Sequence, residues 1–271
     1  MKYLNCIGEV NAMMYLIEAA SDVGNRKKIN QDSLCYMRGR LQDIPCAMAV
    51  VCDGMGGLSK GELASKAVVQ AFINWFKEDV SNLYGVEDLW GGIRRQWNAI
   101  LLEMHHKISS YAAASGITMG TTITAVFCMQ NKYLCVNVGD SRMYSLHPCT
   151  QITKDHSLVQ REIDRGVIRE DEAEQDPRNS VLLQCIGSNK KVTPDFYEGI
   201  LHNDDVLLLC SDGFRHKLTR DELDQMFAVD CITNKQIIKK RAQELIEAVK
   251  QRGELDNITV IILRAMEQGD I

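Results

Sequence analysis

The apolar runs of this chain are strand-sized, and they mostly follow one another without a helix between each pair. They fall at Met13 to Ala20, Ser33 to Met37, Ala47 to Cys52, Thr121 to Met129 and Tyr133 to Val138. Further runs span Arg142 to Leu146, Asp195 to Ile200, Val206 to Cys210 and Ile258 to Leu263. They are rich in Val, Ile, Leu and Tyr and are bounded by Gly, Asn and Asp, the marks of strands. Strict strand–helix alternation builds a parallel doubly wound sheet. Its absence points to antiparallel sheets flanked by helices, an α+β architecture. The helices are legible from their spacing. Ala64, Ala67, Val68, Ala71, Phe72, Trp75 and Phe76 recur at three and four, as do Leu89, Ile93, Trp97, Ile100, Leu101, Met104 and Ile108. A C-terminal helix carries Ile237, Ile238, Ala242, Leu245, Ile246 and Val249. These stripes read as core faces rather than as a cofactor-binding box.

Composition narrows the function classes. Of 271 residues, 45% are hydrophobic and 25% charged, the balance of a globular protein rather than a disordered or fibrous one. No repeat, low-complexity tract or linker divides the chain, so one domain over residues 1–271 is expected. Apolar runs such as Cys46 to Cys52 are too short to cross a bilayer. Glu9 and Glu18 interrupt the N-terminal region, which does not read as a signal peptide, so a cytoplasmic protein without membrane attachment is expected. A net charge of -5 offers no general attraction for nucleic acid, and counter-charge for an anionic substrate has to be local. The ten cysteines include no Cys-x-x-Cys pair and are expected as reduced structural thiols.

One pattern recurs where apolar strands end. Val50-Val51-Cys52 runs into Asp53-Gly54, Val206 to Ser211 runs into Asp212-Gly213, and Val136-Asn137-Val138-Gly139 runs into Asp140. Asp256-Asn257 opens the last strand-like run. A single Asp-Gly is a common turn signature. Several carboxylates at the ends of buried strands are different, because they stay ionised only with partners. If they converge, repulsion raises their pKa values unless a cation neutralises them. Hard oxygen ligands with little His or paired Cys suit Mg2+ or Mn2+ rather than zinc. Glycine after the aspartate lets backbone approach closely. Upstream, Arg26, Lys27 and Lys28 precede Asp32, which reads either as a solvated basic turn or as a phosphate clamp beside an acid. Gly54-Met55-Gly56 lacks the third glycine of a dinucleotide fingerprint, and Ser59-Lys60-Gly61 lacks the ending of a P-loop. Residues 154–180 are charged with few apolar anchors, an excursion with a short helix that either faces substrate or is simply solvated.

In order, Ser21-Asp-Val-Gly…Asn30-Gln-Asp32, Asp53-Gly-Met-Gly-Gly57, Gly120-Thr-Thr122 and Val138-Gly-Asp-Ser-Arg142 are followed by three more short motifs. Those are Asp155-His-Ser157, Cys210-Ser-Asp-Gly213 and Asp256-Asn-Ile-Thr259. This series resembles the metal-dependent serine/threonine protein phosphatases of the type 2C class in their compact bacterial form, over residues 14–263. The resemblance implies a four-layer sandwich of two antiparallel β-sheets flanked by α-helices, with residues 154–180 as a flap-like excursion. It implies two Mn2+ or Mg2+ ions, with Asp53 bridging both, the Gly54 carbonyl completing one site, and Asp212 and Asp256 holding the other. Asp140 then matches a third, weaker site shared with Asp212, and Asp32 matches an acid that holds water. The implied reaction is hydrolysis of phosphoserine and phosphothreonine by in-line attack of a hydroxide bridging the ions. Ser141 and Ser211 are not nucleophiles in it. Implied partners are phosphoproteins made by a cognate serine/threonine kinase.

Three departures stand out. Family spacing puts an arginine five residues before the acid, where this chain has Lys27, with Arg26 one step early. The choice between them is open at this stage, with a slight preference for Arg26. Met55 stands where animal relatives carry a proton-donating histidine, leaving metal-bound water or His156 as the donor, with His156 otherwise a surface residue. Leu183-Gln184 departs from the Thr-Arg often seen before the Gly187 turn. The disturbed cation gives the alternative reading its support: a catalytically weak phosphatase fold that serves as a phosphoprotein-binding module. A phosphatase for small phosphorylated molecules shares the same chemistry.

Overall fold

A computed structural model of the protein describes residues 13–55, 60–83, 85, 87–169, 172 and 176–267. Gly56 and Gly57 of the Asp53 motif, residues 1–12, and residues 170, 171 and 173–175 of the excursion lie outside that set. Two antiparallel five-stranded sheets form the frame. One orders β1 (Met13–Asp22), β12 (Ile258–Glu267), β11 (Val206–Cys210), β8 (Arg142–Ser145) and β9 (Thr150–Gln151). The other orders β10 (Asp195–Ile200), β7 (Lys132–Val138), β6 (Ile123–Met129), β3 (Ile44–Cys52) and β2 (Ser33–Leu41). A two-stranded ribbon pairs β4 (Gly54–Met55) with β5 (Gly120–Thr121).

The central strands are apolar on both faces because each face meets a different layer. In β3, Ala47, Ala49 and Val51 point between the sheets, while Cys46, Met48, Val50 and Cys52 point to the helices. In β12, Ile261, Leu263 and Ala265 face the other sheet, and Ile258, Val260 and Ile262 face the helical side. The period of two thus survives, hidden beneath uniformly apolar sequence. Helices α1 (Gly61–Asn74) and α2 (Leu89–Ser115) cover one sheet, and α6 (Lys235–Gln251) covers the other. The result is the expected four-layer sandwich.

The first apolar stripe continues past α1 through a π turn at Trp75–Asp79, which keeps Trp75 and Phe76 on the buried side. Asp88 caps α2 by accepting from the Gly91 N–H at 2.9 Å, and Asn234 caps α6 by accepting from Ile237 at 3.0 Å. The excursion does contain a short helix, α3 (Leu158–Asp164), capped by Ser157 and anchored by buried Val159. The short helices α4 (Asp212–Arg215) and α5 (Arg220–Met226) were not legible as helical stripes. The nine described cysteines are all free, and Cys52, Cys128, Cys135 and Cys210 are fully buried in strands. Among the described residues, no helix is long and apolar enough to cross a membrane.

Trp97 is fully buried, with ring centroids 5.1 Å from Phe72 and 5.3 Å from Trp75. Trp97→Ala is expected to cost about 3–5 kcal/mol of unfolding free energy. Urea denaturation checks this, and a loss below about 1 kcal/mol would contradict the packing described.

Candidate active site

Strand register gathers the acids at one end of the sandwich. Ser33 pairs with Cys52, so Asp32, just before β2, and Asp53, just after β3, are neighbours. Val51 pairs with Thr124 and Ile123 with Val138, which brings the same end across to Gly139-Asp140. In the other sheet, Cys210 pairs with Val260, placing Asp212 next to the turn that holds Asp256 and Asn257. Ser211 joins the two sheets: its Oγ donates to Asp32 Oδ2 at 2.9 Å and accepts from the Thr259 N–H at 3.0 Å.

Buried polar groups fix each acid's backbone. Thr122 Oγ1 accepts from the Asp53 N–H at 2.9 Å, and the Asp53 carbonyl accepts from Thr122 N–H at 2.9 Å and Thr121 Oγ1 at 3.0 Å. The Gly120-Thr-Thr122 segment is therefore a cradle for Asp53. Both Asp-Gly glycines are demanded by close approach of other backbone. A Cβ on Gly54 would lie 2.4 Å from the Gly61 carbonyl oxygen, and one on Gly213 would lie 2.2 Å from that of Asn257. The Asn257 side chain holds the segment upstream of Asp32: its Nδ2 donates to the Val23 and Ile29 carbonyls, and its Oδ1 accepts from Gln31 N–H.

The electrostatics follow from this crowding. Burial, then the charges of Asp32, Asp212, Asp140 and Asp256, push the Asp53 carboxyl well above the ordinary carboxylate range. Burial pushes Asp32 up to about 7 against the hydrogen bonds of Thr259 and Ser211, with Asp212 and Asp256 adding repulsion. Burial and Asp212 push Asp140 up to about 7, with Arg215 and His216 pulling the other way. Asp32 Oδ1 and Asp212 Oδ1 are buried without a hydrogen-bond partner.

Such a donor set fits a hard divalent cation: the oxygens are anionic, mutually repelling and partly unpartnered. Among the described residues, no three His, Cys, Asp or Glu side chains close a ligand set by themselves. Mg2+-like ions do not require one, because they keep several waters and take one or two carboxylates each.

Lys27, not Arg26, is the cation that reaches the acids. Lys27 Nζ lies 2.7 Å from Asp256 Oδ1. Burial alone would lower its pKa, but the Asp256 hydrogen bond and the charges of Asp256, Asp53 and Asp212 raise it. Arg26 is exposed and forms no ion pair among the described residues. His156 is neither a surface residue nor a free proton donor. It is buried, its Nδ1 accepts from Gly139 N–H at 3.4 Å, and its Nε2 lies 3.0 Å from Asp195 Oδ2. It braces the turn that carries Asp140.

Two groups went unnoticed in sequence. His216 Nε2 lies 3.8 Å from Asp212 Oδ2, and His216 Nδ1 lies 3.5 Å from Glu254 Oε2. Glu254 Oε1 accepts from the Leu255 and Asp256 N–H groups at 2.8 and 3.0 Å. Reading Asp212 as a helix start would have put His216 on its face, four residues on.

The fold and the acid end define a hydrolase of the metal-assisted phosphatase kind. Residues 24–250 match the family model described as protein phosphatase 2C. Protein phosphatase PhpP of Streptococcus pneumoniae is 30% identical over 259 residues, covering 93% of this chain and 98% of that protein. A solved serine/threonine phosphatase of S. agalactiae superposes with TM-score 0.78 at 27% identity, covering 92% of this chain and 99% of that one. The catalytic domain of the serine/threonine protein phosphatase PstP, solved in complex with two manganese ions, gives TM-score 0.74 at 26% identity, with coverages of 94% and 100%. The chain belongs to the protein phosphatase 2C family, a class of serine/threonine protein phosphatases.

The raised carboxyls link site and stability. Asp32 and Asp140 titrate near 7 when folded and near 4 when unfolded, so the folded state holds more protons between those values. Stability contributed by their protonated forms is present below about pH 4 and is lost as pH rises through about 7. In chelator, the melting temperature is expected to fall between pH 5 and pH 8 by on the order of 5 °C, and Mn2+ at pH 8 is expected to restore it. Calorimetry checks this, and a flat or rising profile in chelator would contradict the crowding of these acids.

Proposed function

We propose that the protein hydrolyses phosphoserine and phosphothreonine in phosphoproteins with two divalent ions, Mn2+ or Mg2+, as cofactors. The reading is carried by the gathering of Asp32, Asp53, Asp140, Asp212 and Asp256 from separate strand ends at one end of the sandwich. Asp53 and the Gly54 carbonyl would serve one ion, Asp53, Asp212 and Asp256 the other, and Asp140 with Asp212 a third, weaker one. When bound, the ions supply water activation near neutral pH and neutralise charge at the reacting phosphate.

The chain's own residues supply the rest. Lys27 offers three donors at the cleft and would orient the phosphate as a point charge rather than as a two-pronged clamp. Asp32 Oδ1 is the buried acceptor left to orient a water, while Ser211 fixes its other oxygen. Ser211 is committed to Asp32 and Thr259, and fully buried Ser141 shares a 2.7 Å hydrogen bond with Thr122, so neither hydroxyl acts as nucleophile. Water would then attack phosphorus directly as the bond from phosphorus to the seryl or threonyl oxygen breaks, the proton lost by water balancing the one gained by the departing alcohol, and no phosphoenzyme would form. The substrates would be phosphoproteins produced by a serine/threonine kinase, and a single catalytic domain acting in the cytoplasm suits that role.

A phosphothreonine peptide assayed in Mn2+ and in chelator tests the reading, together with Asp53→Asn. Either change is expected to cut turnover at least about a hundredfold. Turnover that survives both would refute the metal mechanism, and phosphopeptide binding without turnover at any metal concentration would favour the binding-module alternative. Higher kcat/KM on sugar phosphates than on the peptide would move the substrate class to small molecules.

A further inference from the structure

The backbone around Lys27 is pinned by side-chain hydrogen bonds, while its side chain is partly exposed. Asn257 binds the chain on both sides of it, at Val23 and Ile29, and Asn25 Nδ2 donates to the Lys250 carbonyl at 2.9 Å. Among the described residues the ammonium makes one ion pair, 2.7 Å to Asp256 Oδ1, and the two side chains keep 40% and 39% of their surface exposed. A singly contacted, water-exposed ion pair is weak and readily exchanged. Lys27 also faces the charges of Asp53 and Asp212, the same acids that would face a divalent ion. Its neighbour Lys28 is exposed and forms no ion pair among the described residues.

We propose that Lys27 is a tethered counter-ion that competes with a divalent cation for Asp256, so that ion binding there displaces the ammonium and releases it for a substrate phosphate. This rests on the metal-ligand reading of Asp256 given above. It makes metal loading and phosphate binding two uses of one charge: a bound ion takes over the neutralisation of Asp256, and the freed lysine adds a donor at the cleft. Substrate phosphate, by holding the ammonium away from Asp256, raises ion affinity in return, as reciprocal linkage requires.

The test is Mn2+ binding to the full chain, followed by calorimetric titration at fixed pH and ionic strength, with circular dichroism to confirm folding. Lys27→Met is expected to tighten the Asp256-dependent ion by roughly three- to tenfold. Lys28→Met, which removes an equal charge nearby, is expected to change it less than about twofold. Lys27→Arg, which can grip the carboxylate with two donors, is expected to bind the ion no more tightly than the parent. On titration with diamagnetic Mg2+, the Lys27 side-chain NMR signal, assigned by its loss in Lys27→Met, is expected to move to the position of a solvated lysine. Unchanged or weakened Mn2+ affinity in Lys27→Met, or a Lys27 signal indifferent to Mg2+, would overturn the proposal. Asp256→Asn separates the two layers of argument. If it binds Mn2+ like the parent, the ligand reading itself fails. If it loses an ion while Lys27→Met changes nothing, only the competition fails.

Discussion

Mutual repulsion among carboxylates held at one end of two sheets is the constraint on which the rest of this structure depends. Antiparallel pairing fixes the geometry: the end of β3 lies beside the start of β2, and the end of β11 beside the start of β12. The acids at those ends cannot relax away from one another without unpairing β3, β11 or β12, which are buried on both faces. Burial first, and then repulsion among the acids, pushes the Asp32 and Asp140 carboxyls up to about 7 and the Asp53 carboxyl well above its ordinary range. Arg215, His216 and Lys27 offset only part of it. A cation-binding centre is the physical resolution of a fold that assembles more negative charge than its side chains neutralise.

Holding such a centre rigid is the task of neutral polar residues. Ser211, Thr122 and Asn257 each satisfy two or more segments at once, and each is buried. Hydroxyls and amides suit this position because they add no charge to a site already overloaded with it, yet leave few buried donors unpaired. The same economy explains Glu254. It is a further carboxylate close by, and its negative charge is held by His216 and two backbone N–H groups, which bring its pKa down to about 2 despite burial.

Much of this was legible in the sequence. Strand positions and antiparallel class followed from apolar runs of strand length, because central strands covered on both faces read as continuous hydrophobic segments. Asp53, Asp140, Asp212 and Asp256 stood out because a carboxylate abutting a buried strand is costly without partners, and Asp32 because it follows three cations, while their roles came from the family resemblance. What escaped were features set by local geometry. Asp212-Gly213 reads as a turn but opens a one-turn helix, and only that helix brings His216 round to Asp212. Lys27 and Arg26 are adjacent in a loop without periodicity, so no pattern says which one faces inward. His156 looked like a surface residue, because only tertiary contact with Gly139 and Asp195 buries it.

The chain contains a natural contrast for Lys27. Arg142 grips Asp155 with two parallel bonds, at 2.8 and 2.7 Å, and the pair is largely buried, with side-chain exposures of 20% and 6%. Arg215 leans on the same carboxylate at 3.5 Å. That arrangement is built to stay, since breaking it would strand buried charge. Lys27 and Asp256 are the same pair of charges built in the opposite way: one contact, a compact ammonium and open access to water. A guanidinium in its place would match the carboxylate fork and hold it. Lysine at Asp256 and arginine at Asp155 thus sort these ion pairs by exposure, the buried ones bracing the Asp140 end and the water-exposed one lying at Asp256.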